Sequence, residues 1–179
     1  MRNHAITTAQ LSDIDILADI FLKQISKDPE YISHGELQMG VGTISYEDGK
    51  AVKSISENAK KVWLDYIREK ITSDDSEVFK LSINDKIEGF AVVDTESDGG
   101  EPFGMLCDII VCDNFRNSGF GEELFNYAIN WFKERGFKDV YLESGLGNHS
   151  AHHFFQRRGF NKVSSIFHCS LDLSRDNTR

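Results

Sequence analysis

The stretch DIIVCDNFRNSGFGEELFNYAINWFKERGF, residues 108–137, runs without a break from an apolar strand-like segment through a glycine turn into an amphipathic helix. Leu124, Phe125, Ala128, Ile129 and Phe132 share one face at helical spacing. Lys133, Arg135 and Gly136 follow, cations and a glycine that suit a helix C-terminus. A strand that feeds directly into such a helix leaves several backbone N–H groups unpaired and aimed one way. Gly119 and Gly121 allow close backbone approach there, and each anion contact at a helix N-terminus contributes about 0.3–2 kcal/mol. The turn therefore suits a phosphate, with Arg116 available for a charge-assisted bond; the same glycines also serve a turn that binds nothing. Two rival phosphate sites are excluded by residue type. No Gly-Lys-Ser/Thr is present, as a P-loop requires, and no G-x-G-x-x-G follows an early strand.

The rest of the chain reads as alternating helices and strands. Ile14, Leu17, Ala18, Phe21 and Ile25 define a first helix, with Ser12 as N-cap and Asp15 as its capping-box partner, ending before Asp28-Pro29. Residues 30–50, with four glycines and no sustained period, read as a long loop with at most a short strand. A second helix runs from about Ser54 to Ile71, with Ile55, Ala59, Val62, Trp63, Tyr66 and Ile67 on one face. EVFKLSI and IEGFAVVD are strands around a tight turn at Asn84-Asp85-Lys86, and FGMLCDIIVC is a third, so the three form an antiparallel meander. After the helix of residues 120–135, KDVYLES is a short strand, NHSAHHFFQRR a helix stopped by Gly159, and FNKVSSIFHCSLDL one or two closing strands. The order α-α-β-β-β-α-β-α-β predicts an α/β (α+β) fold with a mixed, mostly antiparallel central sheet flanked by helices, one domain over residues 1–179.

Acidic residues outnumber basic ones 29 to 20, and the net charge of -9 argues against a nucleic-acid-binding surface and favours cationic partners. Cys107, Cys112 and Cys169 form no C-x-x-C and sit in apolar context, which reads as reduced core thiols in a cytoplasmic protein. No basic stretch with an apolar block opens the chain and no run approaches roughly 18 apolar residues, so no membrane association is expected.

The glycine turn with its preceding strand resembles the acetyl-CoA-binding motif of the GNAT (Gcn5-related N-acetyltransferase) superfamily, R/Q-x-x-G-x-G/A after a strand ending in Val. NHSAHHFFQRRGF resembles that family's later motif, N-x-x-A-x-x-F-Y-x-x-x-G-F. The two occur in the family's order and separation, and the resemblance covers nearly the whole chain. It implies direct transfer of the acetyl group of acetyl-CoA, as cosubstrate, to a primary amine of a small molecule or protein, with no metal. The pantetheine arm would lie along Ile110, Val111 and Cys112, and the pyrophosphate on Arg116, Asn117, Ser118, Gly119, Phe120 and Gly121. Asn148 is an ordinary N-cap or, as in the family, a cofactor contact.

Transfer also needs a base for the amine, an acid for the thiolate and donors for an oxyanion. Asp108 is the first base candidate, ahead of Glu143 and Glu36. Where many family members carry a thiolate-protonating Tyr, this chain has Phe155, which carries no proton to give, so His149, His152, water or unassisted departure takes that part. Strand alternation places Asp108 and Ile110 on one face of their strand and Cys107, Ile109 and Val111 on the other. Tyr31, His34, Glu36 and Gln38 fall where the family's variable loop borders the acceptor pocket. A homodimer is compatible with this reading, and a non-catalytic acyl-CoA-binding or regulatory module of the same fold is the alternative that Phe155 favours.

Overall fold

A computed structural model describes residues 3–97 and 99–171 of the chain. Its elements are β1 (His4–Thr8), α1 (Ile14–Ile25), α2 (His34–Met39), β2 (Gly42–Glu47), β3 (Lys50–Ile55), α3 (Ala59–Thr72), β4 (Ser76–Ile83), β5 (Lys86–Glu96), β6 (Phe103–Val111), α4 (Phe120–Glu134), β7 (Val140–Tyr141) and α5 (His149–Gln156). Short 3-10 turns lie at Leu11–Asp13, Pro29–Tyr31 and Asp113–Phe115. The chain divides into two compact units, the first ending at Asn148 and the second beginning at His149.

The meander expected between Glu77 and Cys112 forms as β4-β5-β6, all antiparallel. Its first turn is two residues, Asn84 and Asp85, both at positive φ (50° and 63°), the backbone that matches strand twist in a tight hairpin. β1 adds antiparallel to β4 and β7 adds parallel to β6, giving the order β1-β4-β5-β6-β7. The sheet is thus mixed and mostly antiparallel.

Several boundaries differ from the sequence reading, each for a local reason. β1 was not expected; it is a five-residue edge strand with only Ile6 partly covered, too short and too exposed to show a period. The first capping box pairs Gln10 with Asp13 rather than Ser12 with Asp15: Gln10 N donates to Asp13 Oδ2 at 2.8 Å. The long loop is instead a short helix and a separate two-stranded hairpin. Ser33 and Glu36 form a capping box that starts α2, and Gly40 at φ 87° ends it. Asp48 (φ 48°) and Gly49 (φ 76°) make the turn between β2 and β3, so Ser54 and Ile55 belong to a strand and α3 starts at Ala59. β7 is only two residues long, and no strand forms in residues 160–171, where Val163, Phe167 and Leu171 are exposed. The last two residues of the expected closing strand, 172 and 173, lie outside the described residues. Cys169 is exposed, not core, although all three cysteines are free thiols.

Two layers cover the sheet. On one face α1 and α3 contribute Leu17, Ala18, Phe21, Ile25, Trp63 and Ile67, which pack with Phe90 and Val92 of β5. Trp63 stacks on Phe21 at 4.8 Å and meets Phe90 edge-on at 5.7 Å; complete burial of such rings contributes about 1.5–3 kcal/mol each. On the other face lies α4, with Leu124, Phe125, Ala128, Trp131 and Phe132 buried.

β6 serves both layers through a bulge. Val92 stands opposite Asp108 but Val93 opposite Leu106, so Cys107 is an extra residue in the ladder. Before it, Gly104 lies under Phe132 of α4. After it, Ile110 opposite Phe90 packs into the α1/α3 core, and Cys107 packs there too. Strict alternation, which placed Cys107 with Ile109 and Val111, fails at this point. A Cβ on Gly104 would stand 2.4 Å from Phe132 Cδ1, so Gly104→Ala is expected to overpack this contact and cost about 1–3 kcal/mol in urea unfolding.

Candidate active site

The bulge brings Asp108 to the α3 side of the sheet. Tyr66 Oη donates to Asp108 Oδ2 at 3.0 Å. One turn further on, Lys70 hydrogen-bonds Asp94 of β5 and lies with its Nζ 5.6 Å from the centre of the Tyr66 ring. Asp108 keeps some exposed surface, but burial, followed by the nearby Glu36 carboxylate, pushes its carboxyl up to about 7, while the Tyr66 hydroxyl and Lys70 hold it down. Burial, then the Asp108 charge, lifts the Tyr66 phenol well above its ordinary range. Cys107, pushed to about 12 first by burial and then by Asp108, stays a thiol. Burial works against the Lys70 ammonium, yet its bond to Asp94 outweighs that and keeps it charged.

Glu36 and Glu143, the other two base candidates, meet at α2. Glu36 accepts from Ser33 N at 2.6 Å and from the Ser33 hydroxyl, so its carboxylate caps the helix. Glu143 Oε2 accepts from Gly35 N at 2.9 Å, and its Oε1 lies 3.7 Å from His34 Nδ1. The loop after β7 is pressed onto the segment before α2. A Cβ on Gly145 would fall 2.2 Å from Glu30 O and 2.6 Å from Tyr31 O, and one on Gly147 would fall 2.4 Å from Glu30 Cβ. Lys53 of β3 pins the same segment, donating to Ile32 O at 2.9 Å and facing Glu30 at 3.4 Å. Tyr31, His34, Glu36 and Glu143 therefore belong to one neighbourhood, whereas Gln38 lies further along α2 with its side chain exposed.

The glycine turn is strained where the sequence supplies residues for it. Asn117 has φ 56° and Gly119, the N-cap of α4, has φ 90°. No side chain caps α4, and nothing lies within 4 Å of where a Gly119 Cβ would stand. Phe120 is buried as the first helical residue, Gly121 half-buried, and Ser118 exposed. Arg116 is occupied by the protein: Nε donates to Val111 O at 2.9 Å, Nη2 to Gln24 Oε1 at 2.6 Å, and Nη1 pairs with Asp113 at 3.0 Å. It ties the turn to β6 and α1.

Upstream, Cys112 N donates to Glu88 O at 2.8 Å, so antiparallel alternation turns the backbone of Ile110 toward β5 and that of Ile109 and Val111 to the opposite edge. β7 flanks that edge only at Gly104 and Met105. Beyond Met105 no strand of the sheet lies beside it among the described residues. Burial and Glu88 raise the Cys112 thiol to about 11.

Asn148 closes a turn, donating from its backbone N to Gly145 O at 3.0 Å. In the second unit, α5 carries His149 exposed and His152 half-buried, their rings 6.0 Å apart. Phe155 is buried, with its ring edge-on to Phe154 at 5.4 Å. Among the described residues no three His, Cys, Asp or Glu side chains assemble as a metal site, and no helix is long and apolar enough to cross a membrane.

A family model described as the acetyltransferase (GNAT) family matches residues 45–160. The chain belongs to the GNAT family. It is 31% identical over 111 residues to an uncharacterized N-acetyltransferase of Methanocaldococcus jannaschii, covering 60% of this chain and 49% of that one. It is also 33% identical over 84 residues to the [ribosomal protein bS18]-alanine N-acetyltransferase of Haemophilus influenzae, covering 47% and 54%. The chain spans about half the length of the curated relatives it matches. Among solved structures, the fold matches the aminoglycoside N-acetyltransferase AAC(6')-Iy in complex with CoA at TM-score 0.68 and 13% identity, covering 96% and 97% of the two chains. It matches a transcriptional regulator from Bacillus halodurans at TM-score 0.66 and 14% identity, covering 94% and 100%.

The GNAT motifs are legible in sequence; the partnership of Tyr66 and Lys70 with the sheet is not. Their signal was their spacing of four on α3, which reads equally well as an ordinary helix face. The raised Asp108 carboxyl has a consequence for stability. The native state holds its proton more tightly than the unfolded chain, so the stability this proton contributes is present below the ordinary value of 3.8 and is lost as pH rises through about 7. Asp108→Asn removes that penalty and is expected to raise the melting temperature at pH 8 by a larger margin than at pH 4, read by calorimetry across the range.

Proposed function

We propose that this GNAT protein transfers the acetyl group of acetyl-CoA directly to a primary amine, with Asp108 as general base. The observation that carries the reading is the juxtaposition of a carboxyl raised to about 7 with an open β6 edge and an uncapped helix N-terminus. The fit to CoA rests on this chain's own features. The space over Gly119 and the uncapped first turn of α4 suit a pyrophosphate, and the Ile109 backbone with the Val111 N–H, whose own carbonyl is taken by Arg116, suits an extended arm bonding as a strand would. Arg116 supports the turn from behind rather than serving as the main anion contact.

In the reaction the amine nitrogen attacks the thioester carbonyl, a C–N bond forms and the C–S bond breaks. A backbone N–H of the free β6 edge stabilises the oxyanion. Asp108, titrating near neutrality, takes the proton released by the amine, which is the poise a base needs at physiological pH. The departing thiolate, with an ordinary pKa near 8.5, takes a proton from water. The acceptor is a cationic small-molecule or peptide amine, in keeping with Glu30, Glu36, Asp108 and Glu143 around α2 and with the net charge of -9. The aminoglycoside and ribosomal-protein acetyltransferases among the similar proteins support that class.

Acetyl-CoA is expected to raise the melting temperature in a thermal-shift titration, with NAD and ATP doing so much less. Equal shifts from ATP speak against the cofactor assignment. Across a panel of amines, thiol release from acetyl-CoA is expected with at least one cationic amine, and Asp108→Asn is expected to lower that turnover by about 10²-fold or more with the acetyl-CoA dissociation constant unchanged. Binding of acetyl-CoA without thiol release for any amine identifies the non-catalytic module that Phe155 favours.

A further inference from the structure

α3 carries more toward Asp108 than a packing face requires. Tyr66 and Lys70 stand four residues apart on it, and neither ends in solvent. The Lys70 side chain retains 16% of its exposure and its partner Asp94 only 10%, so the ammonium is fixed to β5 from within. Ser76 Oγ donates to Lys70 O at 2.8 Å, which secures the C-terminal turn of the helix as well. Between this pair and Trp63, whose ring lies 6.1 Å away and is itself fully buried, the Tyr66 ring is held on two sides. Its hydroxyl, the polar end of an otherwise apolar group, reaches Asp108 Oδ2.

We infer that Tyr66 is a positioning residue of the transfer reaction: its hydroxyl, clamped between Trp63 and the Lys70–Asp94 pair, fixes Oδ2 of Asp108 and leaves Oδ1 to face the amine. The inference rests on the reading of Asp108 as the base. A carboxylate on a short side chain turns freely about its last bond, and only one of its orientations presents an oxygen to a bound amine. A phenol that does not ionise at working pH always donates, so the same oxygen is bound whether Asp108 is ionised or has just received a proton. The groups that face Asp108 act in opposite senses. From α3, Tyr66 and Lys70 favour the carboxylate; from α2, Glu36 opposes it; on β6 itself, Cys107 is an uncharged thiol that also hydrogen-bonds the Tyr66 hydroxyl, a weaker partner than the Asp108 carboxylate. Asp94 of β5 acts through Lys70, whose charge it partly offsets. Tyr66 thus also sets the pH at which the base becomes available.

The test is the titration of the Asp108 carboxyl carbon by NMR on ¹³C-aspartate-labelled protein, with Asp108→Asn identifying the signal, in parallel with kinetics on the best amine of the panel. Wild type is expected to titrate near 7. In Tyr66→Phe the loss of a hydrogen bond to the charged form moves the midpoint up by about one pH unit, and the acid limb of kcat/KM moves up with it. At saturating substrate kcat falls about tenfold, while KM for acetyl-CoA stays unchanged. If Tyr66→Phe does not fold, 3-fluorotyrosine in place of Tyr66 keeps the ring's shape and strengthens the donor; the Asp108 midpoint then moves down. Titration curves and kcat that do not move in either variant, with Asp108→Asn inactive, overturn the role of Tyr66 and leave the base in place. An Asp108→Asn protein with wild-type turnover overturns both.

Discussion

A single extra residue in β6 is the constraint on which the rest of the molecule depends. Were Cys107 paired as an ordinary rung of the ladder, the parity that seats Gly104 beneath Phe132 would carry through to the end of the strand. Ile110 would then leave the α1/α3 core, and the backbone groups that end at the glycine turn would exchange edges. With the bulge, Gly104 keeps its place beneath Phe132 while Cys107 and Ile110 both reach the α1/α3 core. The same irregularity sets Asp108 against Tyr66. Bulges occur where a sheet must re-aim a side chain, and here the re-aimed side chain is an acid.

That acid stands at the boundary between folding and chemistry. Burial and a neighbouring carboxylate disfavour its charge, and a phenol and an ammonium partly restore it. A fully paired Asp108 would sit at an ordinary low value and be a weak base; an unpaired one would stay protonated. The buried Lys70–Asp94 pair sits close enough to influence the balance without bonding to Asp108 itself. Local stability is given up for a group that changes charge near neutral pH.

The order of the central elements was legible because each has length and period: α1, α3, the meander and α4 show apolar faces that no loop would sustain. The glycine turn was legible from its residue types. What escaped was short or set by partners. β1 takes its identity from β4, and its own five residues bury little. α2 is six residues started by a capping box, too brief for a period, and the Asp48-Gly49 turn was a hairpin signal hidden among glycines read as loop. The facing of Cys107 was unreadable because a bulge leaves no mark in an apolar run. Among the candidate site residues, Asp108, Glu36 and Glu143 were nominated by type and place, but their arrangement, with two of them bonded to the N-terminal turn of α2, is a tertiary fact. The charge of Arg116 is visible in sequence and suggests an anion ligand, while the carbonyl of Val111 and the amide of Gln24 that engage it are not visible there.

The tight seating of Gly145 and Gly147 on Glu30 and Tyr31 reaches beyond packing. Two segments more than a hundred residues apart in sequence touch backbone to backbone, and the Glu143–Gly35 bond fastens them again. The loop after β7 has no room for a side chain at Gly145 or Gly147, so it cannot be rebuilt alone. A lineage that lengthened or reshaped the segment before α2 would have to alter the loop after β7 in step. The two segments are therefore expected to drift in paired changes, visible as covariation between residues 30–36 and 143–147.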